Sequence, residues 1–378
     1  MEIRKFKSGK YEQQFQYKSF LPEKINHVWV TDDPLTQKLL SEADIKLGEL
    51  NAYSQLVPSV DLFIRMHIQK EALTSSKIEG TQTTLAEAVQ RSENLAPEKR
   101  DDWQEVHNYV EAINRAIEEL NHLPLSNRLI LKLHKILMQG VRGEKKTPGE
   151  YRRSQNWIGG ASINDAGFIP PHHEHLADLM HDLELFIHNE HIQVPDLVKA
   201  GILHYQFETI HPFLDGNGRI GRLLITLYLV SKQKLLKPAL YLSDYFEKHK
   251  TLYYDNLTIV RSKNDLNQWL KFFFEGVWQT AQSSIDTFKR IIVLKEKYET
   301  EKITRLGKKT KTAQLLLNVL YKHPVIDAKD AARYLEVNKT TAHKLIDDFV
   351  RLEMLKEISG FKRNQIFVLH EYLDLFKN

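Results

Sequence analysis

The residues of this sequence best suited to chemistry lie at positions 211–222, which read HPFLDGNGRIGR. A stretch with helical apolar spacing ends at Ile210, and a second such stretch begins after Gly218. Pro212 disfavours helix at His211, and the glycines of Asp-Gly-Asn-Gly permit a tight turn. The sequence therefore predicts two helices joined by a glycine turn that lies at the N-terminus of the second helix.

A helix N-terminus preceded by glycines favours anions. The backbone N–H groups of Gly216, Asn217 and Gly218 have no partner within the helix, and they lie at the positive end of its dipole. Phosphate is the usual anion at such a site. Arg219 and Arg222 are three residues apart on the new helix, so both side chains are expected to reach the same side. The sequence therefore predicts a phosphate-binding site.

Two further residues of the segment suit the chemistry of a bound phosphate. Asp215 carries a carboxylate of the kind that binds Mg²⁺, and His211 is a candidate general base with a near-neutral reference pKa. The glycines also match GxGxxG, but the dinucleotide fingerprint needs a preceding strand, and here a helix precedes it. A simple connection between two helices is disfavoured because a base, a metal ligand, an anion site and two guanidinium groups converge.

The segment matches the Fic-domain signature HPFx(D/E)GNGRxxR at every defined position, and residues 35–285 resemble that family. The resemblance implies an adenylyltransferase that moves AMP from ATP to a Ser, Thr or Tyr hydroxyl of a target protein or of itself. His211 would accept the hydroxyl proton, and Asp215 would hold Mg²⁺. The nucleotide-binding residues implied are Gly216, Asn217, Gly218, Arg219, Ile220, Gly221, Arg222, Lys248 and Tyr253.

Two other segments resemble parts of that family. Residues 148–171 resemble the flap, with a hairpin at about 156–171 that would pair with an extended target segment. Residues 74–80 read TSSKIEG and resemble the inhibitory motif (S/T)xxxE(G/N) of class II members, with Ser75, Glu79 and Gly80 at its defined positions. Pairing of Glu79 with Arg222 would block or misplace the triphosphate. Alternatively, Glu79 positions a water and the enzyme also removes AMP.

Composition limits the other functions. Of 378 residues, 42% are hydrophobic and 27% charged, which excludes wholesale disorder, collagen and coiled coil. The net charge of +4 indicates no overall electrostatic preference for nucleic acid. The lack of cysteine excludes disulfides, thiolate catalysis and Cys-ligated zinc. The N-terminus has no apolar signal core, and the longest apolar run, 223–230, is too short to cross a membrane, so we expect a cytoplasmic protein.

The periodicity predicts a mainly α-helical, Fic-type bundle with a small β-hairpin flap. Residues 1–100 are predicted to form an N-terminal region with the inhibitory helix at about 60–80, and 101–297 the Fic core. The first 35 residues are expected to be an extended arm or short strands. A charged linker is expected at 298–311, where the sequence contains Gly307.

Residues 312–378 resemble a winged helix-turn-helix, because helix, helix, turn, helix and hairpin follow in order. The residues that would form a basic stripe for DNA are Lys339, His343, Lys344, Lys362 and Arg363. Asp347, Asp348 and Glu353 lie on or near the same helix, which favours docking of a protein or formation of a homodimer. A nucleotide-responsive DNA-binding regulator is therefore the alternative to a self-inhibited enzyme.

Overall fold

The computed structural model describes residues 1–56, 60–360 and 364–377, with the backbone alone at 142–143, and these residues are mainly helical. The α-helices are α1 (Pro34–Leu56), α2 (Asp61–Ile78), α3 (Leu85–Ala88), α4 (Arg100–Glu119), α5 (Asn127–Leu137), α6 (Leu176–His188), α7 (Asp196–Ile210), α8 (Asn217–Ser231), α9 (Ser243–Lys248), α10 (Lys250–Lys263), α11 (Leu266–Glu296), α12 (Thr310–Lys322), α13 (Ala328–Leu335), α14 (Lys339–Arg351) and α15 (His370–Asp374). The strands are β1 (Gly9–Gln13), β2 (Lys18–Pro22), β3 (Val325–Asp327), β4 (Leu355–Glu357) and β5 (Ile366–Leu369). The mainly helical fold expected from the sequence is confirmed.

Helices α7 and α8 form the centre of the fold. Every residue of α7 from Leu197 to Ile210 is buried, and α8 is buried over nearly its whole length. Helices that are apolar on all faces are stable only when other helices surround them. Helices α4, α5 and α2 cover α8, and α6 and α11 cover α7. The turn between the two central helices is thereby held by a rigid core.

The predicted flap is a less regular hairpin than the sequence suggested. One antiparallel bridge joins Ile158 to Phe168, and a 3-10 turn spans Ile163–Asp165. Both Gly159 and Gly160 have positive φ, so the chain turns before a second pair of ladder hydrogen bonds can form. The carbonyl of the following residue, Ile169, accepts instead from Phe20 N at 2.9 Å. The β1–β2 hairpin therefore lies beside the flap.

The segment expected as a linker is helical in the structure. A π-helical turn (Lys297–Lys302) and a 3-10 helix (Ile303–Lys309) continue α11, and Gly307 turns the chain into α12 with φ of 54°. Tyr298 and Ile303 are buried, since these apolar side chains pack against the core. The domain boundaries themselves stay a prediction.

Beyond this segment, α12, α13 and α14 pack around an antiparallel sheet with strand order β3–β5–β4. Lys339, His343 and Lys344 lie on the exposed face of α14, while Lys362 and Arg363 lie outside the described residues. The buried Asp348 binds Lys309 and Arg351, so its charge is compensated. The winged-helix assignment stays a prediction.

Candidate active site

The turn between α7 and α8 is built from two residues in the left-handed conformation. His211 ends α7 with φ of 50°, and Gly216 precedes α8 with φ of 78°. Asn217 closes the turn, because its Oδ1 accepts from Phe213 N and its Nδ2 donates to Phe213 O, both at 2.8 Å. The predicted order of helix, turn and helix N-terminus is therefore present, with the side chain of Asn217 serving the turn.

His211 is held as a neutral imidazole at the edge of the site. Burial, outweighing the effect of the Glu208 carbonyl, lowers the pKa of His211 to about 4. Its Nδ1 lies 3.3 Å from that carbonyl, so Nδ1 carries the proton and Nε2 keeps a lone pair for a substrate. The residue is half-buried rather than enclosed. This arrangement suits a base that accepts a proton from a bound hydroxyl.

Two side chains from the flap region fix the backbone of the turn, a role that the sequence did not predict. Arg152 is 2% exposed and donates from Nε to His211 O at 3.0 Å and from Nη2 to Pro171 O at 2.6 Å. Asn156 Nδ2 donates to Phe213 O at 2.8 Å. These contacts join the flap to the turn, and only the fold brings the two segments together.

His134 on α5 is a second residue that sequence reasoning missed. Its ring stacks on Phe213 with centroids 3.8 Å apart. Nδ1 accepts from Gly149 N at 2.9 Å, so Nε2 carries the proton that it donates to Asp215 O at 3.0 Å. Burial lowers the pKa of His134 to about 4, which is consistent with the neutral form. A lone histidine within an amphipathic helix gave no signal of this role.

Asp215 and Arg219 lie together at the start of α8. Asp215 Oδ1 accepts from Gly216 N at 2.6 Å and is 3.7 Å from Arg219 Nη2. The Asp215 side chain is 47% exposed, so it remains accessible to a ligand. The buried Arg219 also pairs with Glu105 of α4 at 3.2 Å. Arg219 therefore points towards α4, whereas Arg222 points towards α2, and the two guanidinium groups diverge.

Arg222 is bound by the residues that resemble the inhibitory motif. Its Nε donates to Ser75 Oγ and its Nη2 to Ser75 O, both at 2.9 Å, and Nη2 also donates to Glu79 Oε1 at 2.6 Å. Burial, the largest single effect, would lower the pKa of Arg222, but the Glu79 carboxylate together with other acidic groups nearby outweighs burial and raises that pKa above its usual value. Burial raises and Arg222 lowers the pKa of Glu79, with a lowered pKa as the net result. Both groups are therefore charged at neutral pH.

The Glu79 carboxylate lies over the N-terminus of α8. A Cβ atom built on Gly218 would be 2.3 Å from Glu79 Oε1 and 2.8 Å from Arg222 Nη1. Residue 218 must therefore be glycine for this approach. Gly80, with φ of 108°, ends the turn after α2, and Lys250 Nζ donates to the Ile78 carbonyl at 2.7 Å. The sequence did not reveal this anchoring lysine.

Three other predicted nucleotide ligands have different surroundings. Ile220 is buried in the core, and Lys248 pairs with Asp244 at 2.8 Å on an exposed part of α9. Tyr253 is buried and its hydroxyl bonds His204 Nε2 at 2.9 Å, while His204 Nδ1 bonds Gly221 O at 2.8 Å. Tyr253 thus supports the backbone of α8 from within the core.

Glu208 on α7 is a buried carboxylate directly behind the site. A Cβ on Gly221 would be 2.1 Å from Glu208 Oε1, so the close approach of α7 and α8 requires glycine at 221. Burial raises the pKa of Glu208 to about 7, against the opposing effect of Arg222. Arg261 of α10 stacks on the flap residue Phe168, with Cζ 3.9 Å from the ring centroid. Neither Glu208 nor Arg261 belongs to a motif that the sequence alone reveals.

Comparison with known proteins assigns this fold and site to a class. Residues 37–118 match the family model described as Fic/DOC family N-terminal, and residues 124–229 match the model described as Fic/DOC family. The chain resembles a solved Fic family protein from Desulfovibrio desulfuricans with a TM-score of 0.58 at 21% identity, over 90% of this chain and 97% of that chain. A Fic domain containing signaling protein from Bacteroides thetaiotaomicron gives a TM-score of 0.52 at 20% identity, over 68% of this chain and 97% of that chain. These likenesses establish the fold.

Relatives with a stated activity match a smaller region. A protein adenylyltransferase Fic from Drosophila erecta is 30% identical over 202 residues, which are 52% of this chain and 39% of the relative. Its namesake from Drosophila melanogaster is 32% identical over 159 residues, which are 40% of this chain and 30% of the relative. The match therefore spans well under half the length of these relatives. The chain is a member of the Fic family, with its Fic domain at residues 124–229. Among the described residues, no helix is long and apolar enough to cross a membrane.

Proposed function

We propose that the protein is an adenylyltransferase that transfers AMP from ATP to a Ser, Thr or Tyr hydroxyl of a protein, itself included, and that Glu79 restrains it. The carrying observation is the position of the Glu79 carboxylate, an anion held against Arg222 and over Gly218. This is the place where a helix N-terminus and a buried guanidinium would bind phosphate. The names of the relatives support the choice of adenylyl transfer.

The proton transfer is assigned to His211. Its Nε2 would accept the proton of the incoming hydroxyl while that oxygen attacks the α-phosphorus and pyrophosphate leaves. The low pKa keeps the imidazole neutral but makes it a weak base. Most of the rate must therefore come from alignment of the reactants and from stabilisation of phosphate charge, as in phosphoryl transfer generally.

The phosphates would be bound by the N-terminal turn of α8 and by its arginines. Arg222 would take a terminal phosphate once Glu79 has left, and its contacts with Ser75 would hold it in place. Asp215 fits Mg²⁺, because an accessible carboxylate beside an anion site is the usual protein ligand of Mg²⁺ bound to substrate phosphates. That ion would neutralise charge on the phosphates when bound. Lys248 and Tyr253 stay proposed nucleotide ligands by resemblance alone.

The target would dock along the flap. The segment 157–160 has one side paired through the Ile158–Phe168 bridge, and Trp157 is 41% exposed beside it. An extended target segment added to the free edge would be oriented by backbone hydrogen bonds. Arg152 and Asn156 connect this edge to the His211 turn, so a docked target segment would be held at a fixed position relative to His211.

The test is incubation with ATP labelled at the α-phosphate and with Mg²⁺. We expect covalent label on the Glu79→Gly protein, weaker label on the wild type, and none on Glu79→Gly/His211→Ala. Label that persists without His211 would refute the assigned base. No label from any variant, together with salt-sensitive binding of duplex DNA, would favour the DNA-binding regulator. Loss of label from modified Glu79→Gly protein on addition of unlabelled wild type would favour AMP removal as a second activity.

A further inference from the structure

A cavity outside the site described above lies where the C-terminal unit, residues 310–377, meets the N-terminal helices. Its volume is about 360 Å³, within the range of small-molecule sites. One wall is formed by α2, α3, α4 and the segment that follows α3. The other is formed by the end of α12, β3 and α13. Both units therefore contribute side chains to one concave surface.

Two stacked ring pairs lie in these walls. Trp103 and His107 stack with centroids 3.4 Å apart and an interplanar angle of 20°. On the opposite wall, His323 and Tyr334 stack at 4.8 Å and 18°. Planar rings on both sides of a cavity favour a planar aromatic guest. Gln69, 7% exposed, also lines the cavity, and its Oε1 has no hydrogen-bond partner among the residues that the structure describes.

The acidic side chains that line the cavity include two aspartates that already have partners. Asp330 is bound by Arg91 and Arg333, and Asp327 Oδ1 caps α13 by accepting from Asp330 N. Glu93 is exposed at the rim.

Burial together with the cations Arg65, Lys322 and Arg333 lowers the pKa of His323, which also lines the cavity, to about 4. Arg65 and Lys322 are exposed, and neither forms an ion pair among the described residues. These two cations are therefore available to bind a phosphate in the cavity.

Helix α2, which forms part of one cavity wall, also leads to Glu79. Arg65 and Gln69 lie on α2, and Ser75 follows less than two turns after Gln69. The C-terminal unit also packs directly against α2. The ring centroids of Phe63 and Tyr321 are 5.1 Å apart, and those of His67 and Phe376 are 5.3 Å apart. A helix moves as a rigid element, so a change at its N-terminal half is transmitted to the half that bears Ser75.

We propose that this cavity binds a nucleotide-class ligand, a planar heteroaromatic ring that carries phosphate, and that the bound ligand strengthens the contact of Glu79 with Arg222. A ligand that touches both walls stabilises the arrangement in which they meet, which is the arrangement with Glu79 engaged. The binding step stands apart from the proposed function. The effect of the ligand on labelling, in contrast, rests on the proposed function.

Binding is tested by calorimetric titration with AMP, GMP, CMP and UMP. We expect saturable binding of at least one monophosphate to the wild type, and at least about tenfold weaker binding to Arg65→Ala/Lys322→Ala because two charged hydrogen-bond donors are lost. Arg305→Ala/Lys308→Ala removes the same charge from exposed positions outside the cavity and should bind like the wild type. Equal affinity of the two double variants, or no saturable binding, would overturn the proposal. Equal affinity for inorganic phosphate alone would overturn the nucleotide class.

The effect on the site is tested by self-labelling with the same monophosphate. We expect slower labelling of the wild type and no change for Glu79→Gly or for the cavity double variant. A ligand that merely competes with ATP at residues 211–222 would slow all three proteins, and that result would overturn the regulatory part. The calorimetric result is independent of label, so failure of the proposed function leaves the binding step tested.

Discussion

Removal of Glu79 should release the nucleotide site by an amount set by its contact with Arg222. The pair is joined at 2.6 Å, the guanidinium is 2% exposed and the carboxylate 35% exposed. A hydrogen bond between charged groups contributes about 1.5–3 kcal/mol when it is partly shielded from water, and solvent around the carboxylate favours the lower half of that range. Since ATP would have to displace Glu79 under the proposed function, Glu79→Gly should tighten ATP binding and raise the initial labelling rate at low ATP by roughly 13- to 45-fold.

The assay compares initial rates at several ATP concentrations. Glu79→Gln should lie between wild type and Glu79→Gly, because the amide keeps an acceptor for Arg222 without the charge. Glu301→Gln is the matched control, since Glu301 is exposed and distant in sequence from the site. Equal ATP affinities and labelling rates for wild type and Glu79→Gly would refute the reasoning. Arg222 keeps its two bonds to Ser75 but loses its counter-charge, so the melting temperature of Glu79→Gly should fall without ATP and recover when ATP is bound.

Three further outcomes follow from buried groups of the site. In Glu79→Gly/Glu208→Gln, which also lacks the Glu208 carboxyl with its pKa of about 7, kcat/KM for labelling should be flat from about pH 8 to pH 5. The reason is that the His211 pKa is about 4 and removal of the nearby Glu79 carboxylate lowers it further; a protonation step near pH 6.5 would contradict this. Gly221→Ala should lower the free energy of unfolding in urea by about 1–3 kcal/mol through its clash with Glu208, and much less so in the Glu208→Ala background; additive losses would contradict the clash. His134→Phe keeps the ring stack on Phe213 but leaves the Gly149 N–H and the Asp215 carbonyl without their hydrogen bonds to His134. The labelling rate should therefore fall about tenfold, while circular dichroism shows that the fold is retained. An unchanged rate would show that His134 does not support the site.

The sequence predicted those parts of the site that are contiguous in the chain. The turn at 211–216 and the start of α8 follow from residue types whose spacing fixes their geometry. The contact of Glu79 with Arg222, which are far apart in the chain, was expected only from the resemblance to the Fic inhibitory motif. The supporting groups were not predictable, because they come from helices and loops far along the chain. His134 and Arg152 give no local pattern, and only the packing of α5 and the flap against the turn brings them there.

The flap illustrates a different limit. A turn signal between two β-prone segments predicts a hairpin, but it does not determine how many ladder bonds form. At Gly159 and Gly160 the backbone adopts positive φ, and the edge at Ile169 pairs with Phe20 from the other end of the domain. Tertiary context therefore replaced local pairing. Similarly, the charged composition of 298–311 suggested a linker, whereas the buried Tyr298 and Ile303 hold it as helix.

Charge balance around Arg222 would explain how the proposed enzyme alternates between inhibition and catalysis at one site. A buried guanidinium cannot be left without a counter-charge, because desolvation of an unpaired ion is costly. In the structure Glu79 supplies that charge, and in the proposed active state the nucleotide phosphates would do so. Burial and the nearby Glu79 carboxylate raise the pKa of Glu208 to about 7, against the effect of Arg222. Departure of Glu79 would therefore lower this pKa and allow Glu208 to ionise. Glu208 would thus stabilise the Arg222 guanidinium after Glu79 has left and before the phosphates bind. The Glu79 carboxylate and the phosphates need therefore never occupy the α8 N-terminus together.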